Sequence, residues 1–129
     1  MQFNNPSTMH TPKGYSHVVD TRGGRTIYIS GQVSIDPAGN FVGLNDLDAQ
    51  AVRIFENLKL ALASVGASFD HVVKLTYYYL DISQIQVVRE VRDRYINTSH
   101  PPASAALEVP RLYREECLLE IEAIAVIPD

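Results

Sequence analysis

Leu118-Leu119-Glu120-Ile121-Glu122-Ala123-Ile124-Ala125-Val126-Ile127 is the stretch whose reading decides the fold. It is rich in β-branched and apolar residues, so it reads as a strand. Strand alternation sends Leu119, Ile121, Ala123 and Ala125 to one face. Leu118, Glu120, Glu122, Ile124 and Val126 go to the other. The first set suits a face covered by helices. The second mixes large apolar groups with two carboxylates. Either a partner subunit covers it, or it is a water-facing surface with scattered exposed apolar groups.

Upstream, Ala103 to Val109 reads as the preceding strand. His100-Pro101-Pro102 ends a helix, because proline disfavours helix at the residue before it. That helix carries Ile85, Val88, Val91 or Arg92, and Tyr95. Ser83-Gln84-Ile85-Gln86 has capping-box form, with Ser83 as N-cap. Val72 to Leu80, VVKLTYYYL, reads as a strand. From about Asn45 to Val65, an apolar stripe of Leu47, Ala51, Ile54, Leu58, Ala61 and Val65 predicts a longer helix. Asn45 or Asp46 caps its start and Gly66 fits its stop. Asp36-Pro37-Ala38-Gly39-Asn40 is a turn. His17 to Val19 and Thr26 to Val33 read as two strands of a first hairpin, joined through Gly23-Gly24. Residues 1–14, with Pro6, Pro12 and Gly14, read as an irregular arm.

The predicted order is β-β-α-β-α-β-β, an α+β fold in one domain spanning residues 1–129. If the strands they join are parallel, right-handed crossovers place both helices on one face of a mixed sheet. Two helices cannot cover both faces, so the second face of the last strand stays open.

Bulk properties fit this reading. The chain has 129 residues, 46% hydrophobic and 20% charged, in the range of an ordinary globular domain. No apolar run approaches the ~18–20 residues of a membrane span. The amino terminus lacks the basic start and apolar stretch of a signal peptide. The single cysteine, Cys117, excludes an intramolecular disulfide and fits a reducing, cytoplasmic setting. Net charge is −4 and the basic residues are scattered, so the basic stripe of a nucleic-acid binder is absent.

Few residues advertise chemistry by themselves. The histidines His10, His17, His71 and His100 have no helical i, i+4 pair and Cys117 has no CxxC partner, so no metal site is expected. His17 reads as a surface or edge histidine and Cys117 as a small buried group. There is no nucleophile elbow, Walker loop or GxGxxG. In Tyr77-Tyr78-Tyr79, alternate rings face opposite sides of the sheet, which favours packing over recognition. Glu120 and Glu122 share one strand face. A carboxylate beside apolar neighbours has a raised pKa, which suits acid-base work near neutrality. Solvation or pairing with a nearby Arg or Lys is the plainer alternative.

Several segments in order carry a resemblance. They are Gly14-Tyr15-Ser16, Ile29-Ser30-Gly31-Gln32, Gln50-Ala51 with Asn57-Leu58, Val72-Val73-Lys74-Leu75-Thr76, Pro101-Pro102-Ala103, Glu108-Val109 and Leu119 to Val126. From about Tyr15 to Val126 the chain resembles the RidA/YjgF family, also called L-PSP endoribonuclease-like. The resemblance implies a chorismate-mutase-like fold, a homotrimer with sheets facing the threefold axis, and small-molecule clefts between subunits. It implies hydrolysis of reactive enamines and imines to a keto acid and ammonia, with no metal or organic cofactor. Carried over, Glu120 positions or activates the attacking water. Tyr15 and Ser30 line the cleft, and Gly31 and Ala106 offer backbone groups to the ligand.

One family residue is missing. An arginine after the Pro-Ala pair clamps the substrate carboxylate in such deaminases, as a bidentate guanidinium can. Ser104 stands there instead. Losing such a bond to a buried carboxylate costs about 2–5 kcal/mol, roughly one to four decades in rate. Arg89, where many deaminating members have asparagine, either supplies the missing cation or is a solvated helix arginine paired with Glu90 or Asp93. Three functions follow: hydrolysis of an imine, enamine or related compound, with a neutral or amine-bearing substrate expected; a non-catalytic metabolite-binding trimer; and, last, a ribonuclease or translation-inhibitor role.

Overall fold

The computed structural model describes residues 1–129. Its strands are β1 (Gln2–Asn4), β2 (Val18–Asp20), β3 (Arg25–Gln32), β4 (Val72–Tyr79), β5 (Ala103–Glu108) and β6 (Leu119–Ile127). The helices are α1 (Leu47–Ala63) and α2 (Ile85–Arg92). β3, β6, β4 and β5 lie side by side in one mixed sheet. β6 runs antiparallel to both β3 and β4, and β4 is parallel to β5. β3 and β4 are therefore parallel, and each helix is a crossover between parallel strands. Both helices pack on one face, as the alternation of β6 requires.

That face holds the core. Leu119, Ile121, Ala123 and Ala125 are buried beneath Ile54, Phe55, Leu58 and Leu62 of α1 and Val88 and Val91 of α2. The apolar stripe produces α1, and the Asp46 carboxylate caps it by accepting from the Ala49 N–H at 3.1 Å. Gln50 is the one buried amide on this stripe. Its Nε2 donates to the carbonyls of Gly43 (2.9 Å) and Glu116 (3.0 Å), and its Oε1 accepts from the Leu118 N–H (2.8 Å). It ties α1 to the entry of β6, so burial leaves none of these groups unpaired. No helix is long and apolar enough to cross a membrane.

Four local expectations are corrected. The first hairpin does not form: β2 pairs with β1, through Gln2↔Asp20, Phe3↔Val19 and Asn4↔Val18. β3 forms its ladder with β6 instead. Gly24, at φ +78°, lies so close to Ile127 that a Cβ there would be 2.5 Å from its carbonyl oxygen. The glycine pair thus serves the approach of β3 to β6 and not a tight β2–β3 turn. By the same pairing, the amino-terminal arm is not irregular throughout, because β1 lies within it. Finally, Ser83 does not cap α2. Asp81 caps a short 3₁₀ turn at Ile82–Gln84, accepting from the Ser83 N–H at 3.0 Å, and α2 continues from that turn. α2 also ends at Arg92, before Tyr95 and well before the prolines. Tyr95 leaves the helix line to stack on Phe55, with ring centroids 5.2 Å apart.

Candidate active site

The expected site residues fall into two groups on opposite faces of the sheet. On the helix side, Tyr15, Arg89, Ser104 and Ala106 line one cavity of about 250 Å³. The pairing of β4 with β5 sets Leu75 beside Ser104 and Tyr77 beside Ala106. Tyr77 and Tyr79 therefore lie on the cavity side, and α2 forms a wall through Ile85, Val88, Arg89 and Arg92. The arm closes the rim with Lys13 and Tyr15. The Tyr15 hydroxyl lies 3.0 Å from His10 Nε2, and His17 Nε2 lies 2.7 Å from the His10 carbonyl. Tyr15 also meets His17 edge-on at 5.5 Å, so the loop carrying it is held by its own side chains. The Ser16 N–H donates to the Pro102 carbonyl at 3.1 Å and anchors the loop beside β5.

Glu120, Ser30 and Gly31 belong to the other face. A one-residue bulge interrupts the β3–β6 ladder between Ile29 and Gln32, where Ser30 and Gly31 sit. Such bulges bend a strand and re-aim its groups. The Glu120 carboxylate lies directly over Gly31, in the space a Cβ would occupy. Burial, and then the charge of Glu122, push the Glu120 carboxyl above its usual range. Glu122 accepts a hydrogen bond from the Tyr78 hydroxyl at 2.7 Å. Two adjacent carboxylates thus differ in environment, one tied to a phenol and the other left with a raised pKa.

Sequence reasoning missed Lys13, Arg92, Tyr77 and Tyr79 as cavity residues. The signal for the tyrosines was present in the alternation of β4, since only Tyr77 and Tyr79 share the α2 side. Arg92 follows Arg89 at i+3 on the same helix face. Arg89 is in none of the three ion pairs, which belong to Arg92 with Asp93, Arg94 with Asp48, and Arg114 with Glu116. Burial pushes the Tyr79 phenol up to about 12, against the opposing charges of Arg89 and Arg92. The Tyr77 phenol is raised too, first by burial, and its hydroxyl is buried without a hydrogen-bond partner. An unpaired buried hydroxyl of this kind costs about 1–3 kcal/mol. Cys117 is buried in the core and its thiol is raised by burial, as a small inert group would be.

A family model described as Endoribonuclease L-PSP matches residues 6–127. The chain belongs to the RidA/YjgF family. It is 42% identical over 112 residues to Protein DfrA of Myxococcus xanthus, covering 87% of this chain and 84% of that protein. It is 34% identical over 102 residues to the human 2-iminobutanoate/2-iminopropanoate deaminase, covering 79% and 73% of the two chains. A crystal structure of a Rid-family protein of unknown function from Yersinia pestis superposes with a TM-score of 0.87. It has 33% identity over 98% of both chains. Within this RidA/YjgF chain, the β5 position expected to hold a clamping arginine carries Ser104 on the cavity wall, with Arg89 lining the same cavity.

Proposed function

We propose that this protein hydrolyses a reactive enamine or imine to a carbonyl compound and ammonia, in a cleft shared by two copies of the chain. Relatives named as 2-iminobutanoate/2-iminopropanoate deaminases support the reaction class. The observation that carries the reading is the placement of Glu120. Its carboxylate lies over the Ser30–Gly31 bulge on the open face of the sheet, with its pKa raised by burial and by Glu122. Tyr15, Arg89, Ser104 and Ala106 lie across the sheet at the edge strand β5. A substrate held by the second group meets a Glu120 most readily when a neighbouring copy supplies it. The free β5 edge and the exposed Tyr28 and Leu107 favour such a neighbour, and a homotrimer with open faces inward is the proposed assembly.

In this mechanism Glu120 accepts a proton from water as the oxygen attacks the imine carbon, and returns it to the nitrogen to give a carbinolamine. Glu120 then carries the carbinolamine hydroxyl proton to the same nitrogen as the carbon–nitrogen bond breaks, the carbonyl forms and ammonia leaves. Proton transfer by a positioned group contributes about 10²–10⁴-fold. The test is ammonia and keto-acid release from freshly generated 2-aminoacrylate and from 2-iminobutanoate. Wild type should outpace buffer, and Glu120→Ala should lose at least about 100-fold while remaining folded. If no imine is turned over faster than in buffer, a metabolite-binding role without catalysis replaces this reading.

A further inference from the structure

The cavity beside Ser104 continues outward into a larger, more open one. Lys13, Tyr15, Arg89 and Arg92 line both. Three cations therefore stand at the junction of the two spaces. Asp93 is the one carboxylate lining either, and it is already engaged by Arg92 Nε at 2.9 Å. Two positive charges remain uncompensated.

The junction is built and not a chance gathering of surface chains. Arg92 is 11% exposed, and its guanidinium fills the space beside Gly14 that a Cβ would take. Gly14 also has φ +77°, so glycine alone lets the arm pass over Arg92 and bring Lys13 and Tyr15 to the rim. An independent observation points to a ligand. Tyr77 is only 5% exposed, lines the inner cavity, and has a hydroxyl with no partner in the protein. A phenol donor near guanidinium groups is suited to an anionic oxygen. Ile85, Val88 and Ala106 give the inner wall an apolar part that suits a short carbon chain.

We propose that this junction selects a dianionic small molecule, a dicarboxylate or its imine, with its two carboxylates drawn to Lys13 and Arg89, the uncompensated cations beside Arg92, and a polar oxygen reached by the Tyr77 hydroxyl. The inference rests on the hydrolase reading only in taking this acid as the class of the substrate. It replaces the expectation of a neutral substrate: losing the β5 arginine has not left the cavity uncharged.

Titration calorimetry of the full chain with 2-oxopentanedioate and with 2-oxobutanoate tests it without requiring turnover. The dicarboxylate should bind about tenfold more tightly or better at low salt, the advantage shrinking as salt rises. Arg89 is exposed, so Arg89→Ala should fold normally and bring the two affinities to within about threefold. Tyr77→Phe should weaken the dicarboxylate severalfold while its Tm holds or rises, because the variant removes an unpaired buried hydroxyl. A purely structural tyrosine would leave the affinity unmoved and overturn its part in the site. Equal affinities for the two acids in wild type, an unchanged preference in Arg89→Ala, or equally tight binding of inorganic phosphate would overturn the proposal. These results stand apart from the hydrolase test. A dicarboxylate preference without imine turnover defeats only the hydrolase reading, and turnover without that preference defeats only this one.

Discussion

The two faces of β6 are made by alternate residues of one strand, yet they meet different demands. On one face Leu119, Ile121 and Ala125 are sealed by the chain's own helices. On the other, Glu120 and Glu122 interrupt the apolar residues, and Tyr28 on the neighbouring β3 is 78% exposed. The first face is completed by folding. The second carries a carboxyl of raised pKa, a bulge and uncovered aromatic surface, features that stability of a lone chain does not require. The contrast separates what the sequence invests in the fold from what the proposed function assigns to a partner and a ligand.

The contrast breaks most visibly at Ile121. Ile121→Ala removes a fully buried side chain and should cost about 2–5 kcal/mol in urea unfolding. The midpoint shift should be the same at all protein concentrations. A cost below 1 kcal/mol would mean that the helix face is less tightly packed than its burial indicates. The open face should answer differently. Tyr28→Lys should leave the fold intact but raise the dissociation constant of the proposed assembly by about tenfold or more, as loss of an aromatic anchor does. Sedimentation velocity at several concentrations measures this. An unchanged sedimentation profile would exclude Tyr28 from any subunit contact.

Gly31 sharpens the comparison at the site itself. A methyl there collides with the Glu120 carboxylate, which can swing away because it is the far end of a flexible side chain. Gly31→Ala should therefore keep its Tm and lose about tenfold in kcat/KM, equivalent to about 1.4 kcal/mol of misplacement. Equal activity would show that the carboxylate need not rest over the bulge. A large loss of Tm would show that the glycine serves the strand and not the carboxylate.

The fold was legible in the sequence where one pattern dominates. The alternation of β6 places Leu119, Ile121, Ala123 and Ala125 correctly, the period of α1 finds Leu47, Ala51, Ile54 and Leu58 but passes over Phe55 and Leu62, and the β-branched run of β4 is a strand. The pairing of β2 was not legible, because a three-residue strand holds no pattern that chooses between β1 and β3. The start of α2 was misplaced for a related reason. Asp81 and Ser83 both offer a capping oxygen, and the choice depends on how the 3₁₀ turn enters the helix. For the site, Tyr15, Arg89, Ser104 and Ala106 were individually nameable, and they do share a cavity. Their separation from Glu120 follows from strand parity: Ser104 pairs with Leu75 on the buried side, whereas Glu120 pairs with Tyr78 on the open side. The cation junction was hidden because Lys13 and Arg92 are 79 positions apart and meet only through the turn at Gly14.

The smallest expected effect lies in the pH dependence of Glu120. Its carboxyl has a higher pKa folded than unfolded, so the folded state holds its proton more tightly. The ionised group therefore opposes folding above the raised value, and that opposition fades as pH falls through it toward the unfolded carboxylate range. Glu120→Gln removes the charge and should raise Tm slightly at pH 7, with the gain vanishing at acidic pH where wild type is already neutral there. A gain of the same size at both pH values would assign the effect to packing. Turnover should move the opposite way. A base must be ionised to accept the water proton, so activity should decline as pH falls, beginning above the ordinary carboxylate range. The same raised pKa that weakens the fold a little near neutrality makes the carboxylate a better proton acceptor. That opposition between stability and activity is expected on the open face of β6 and not on the face sealed by the helices.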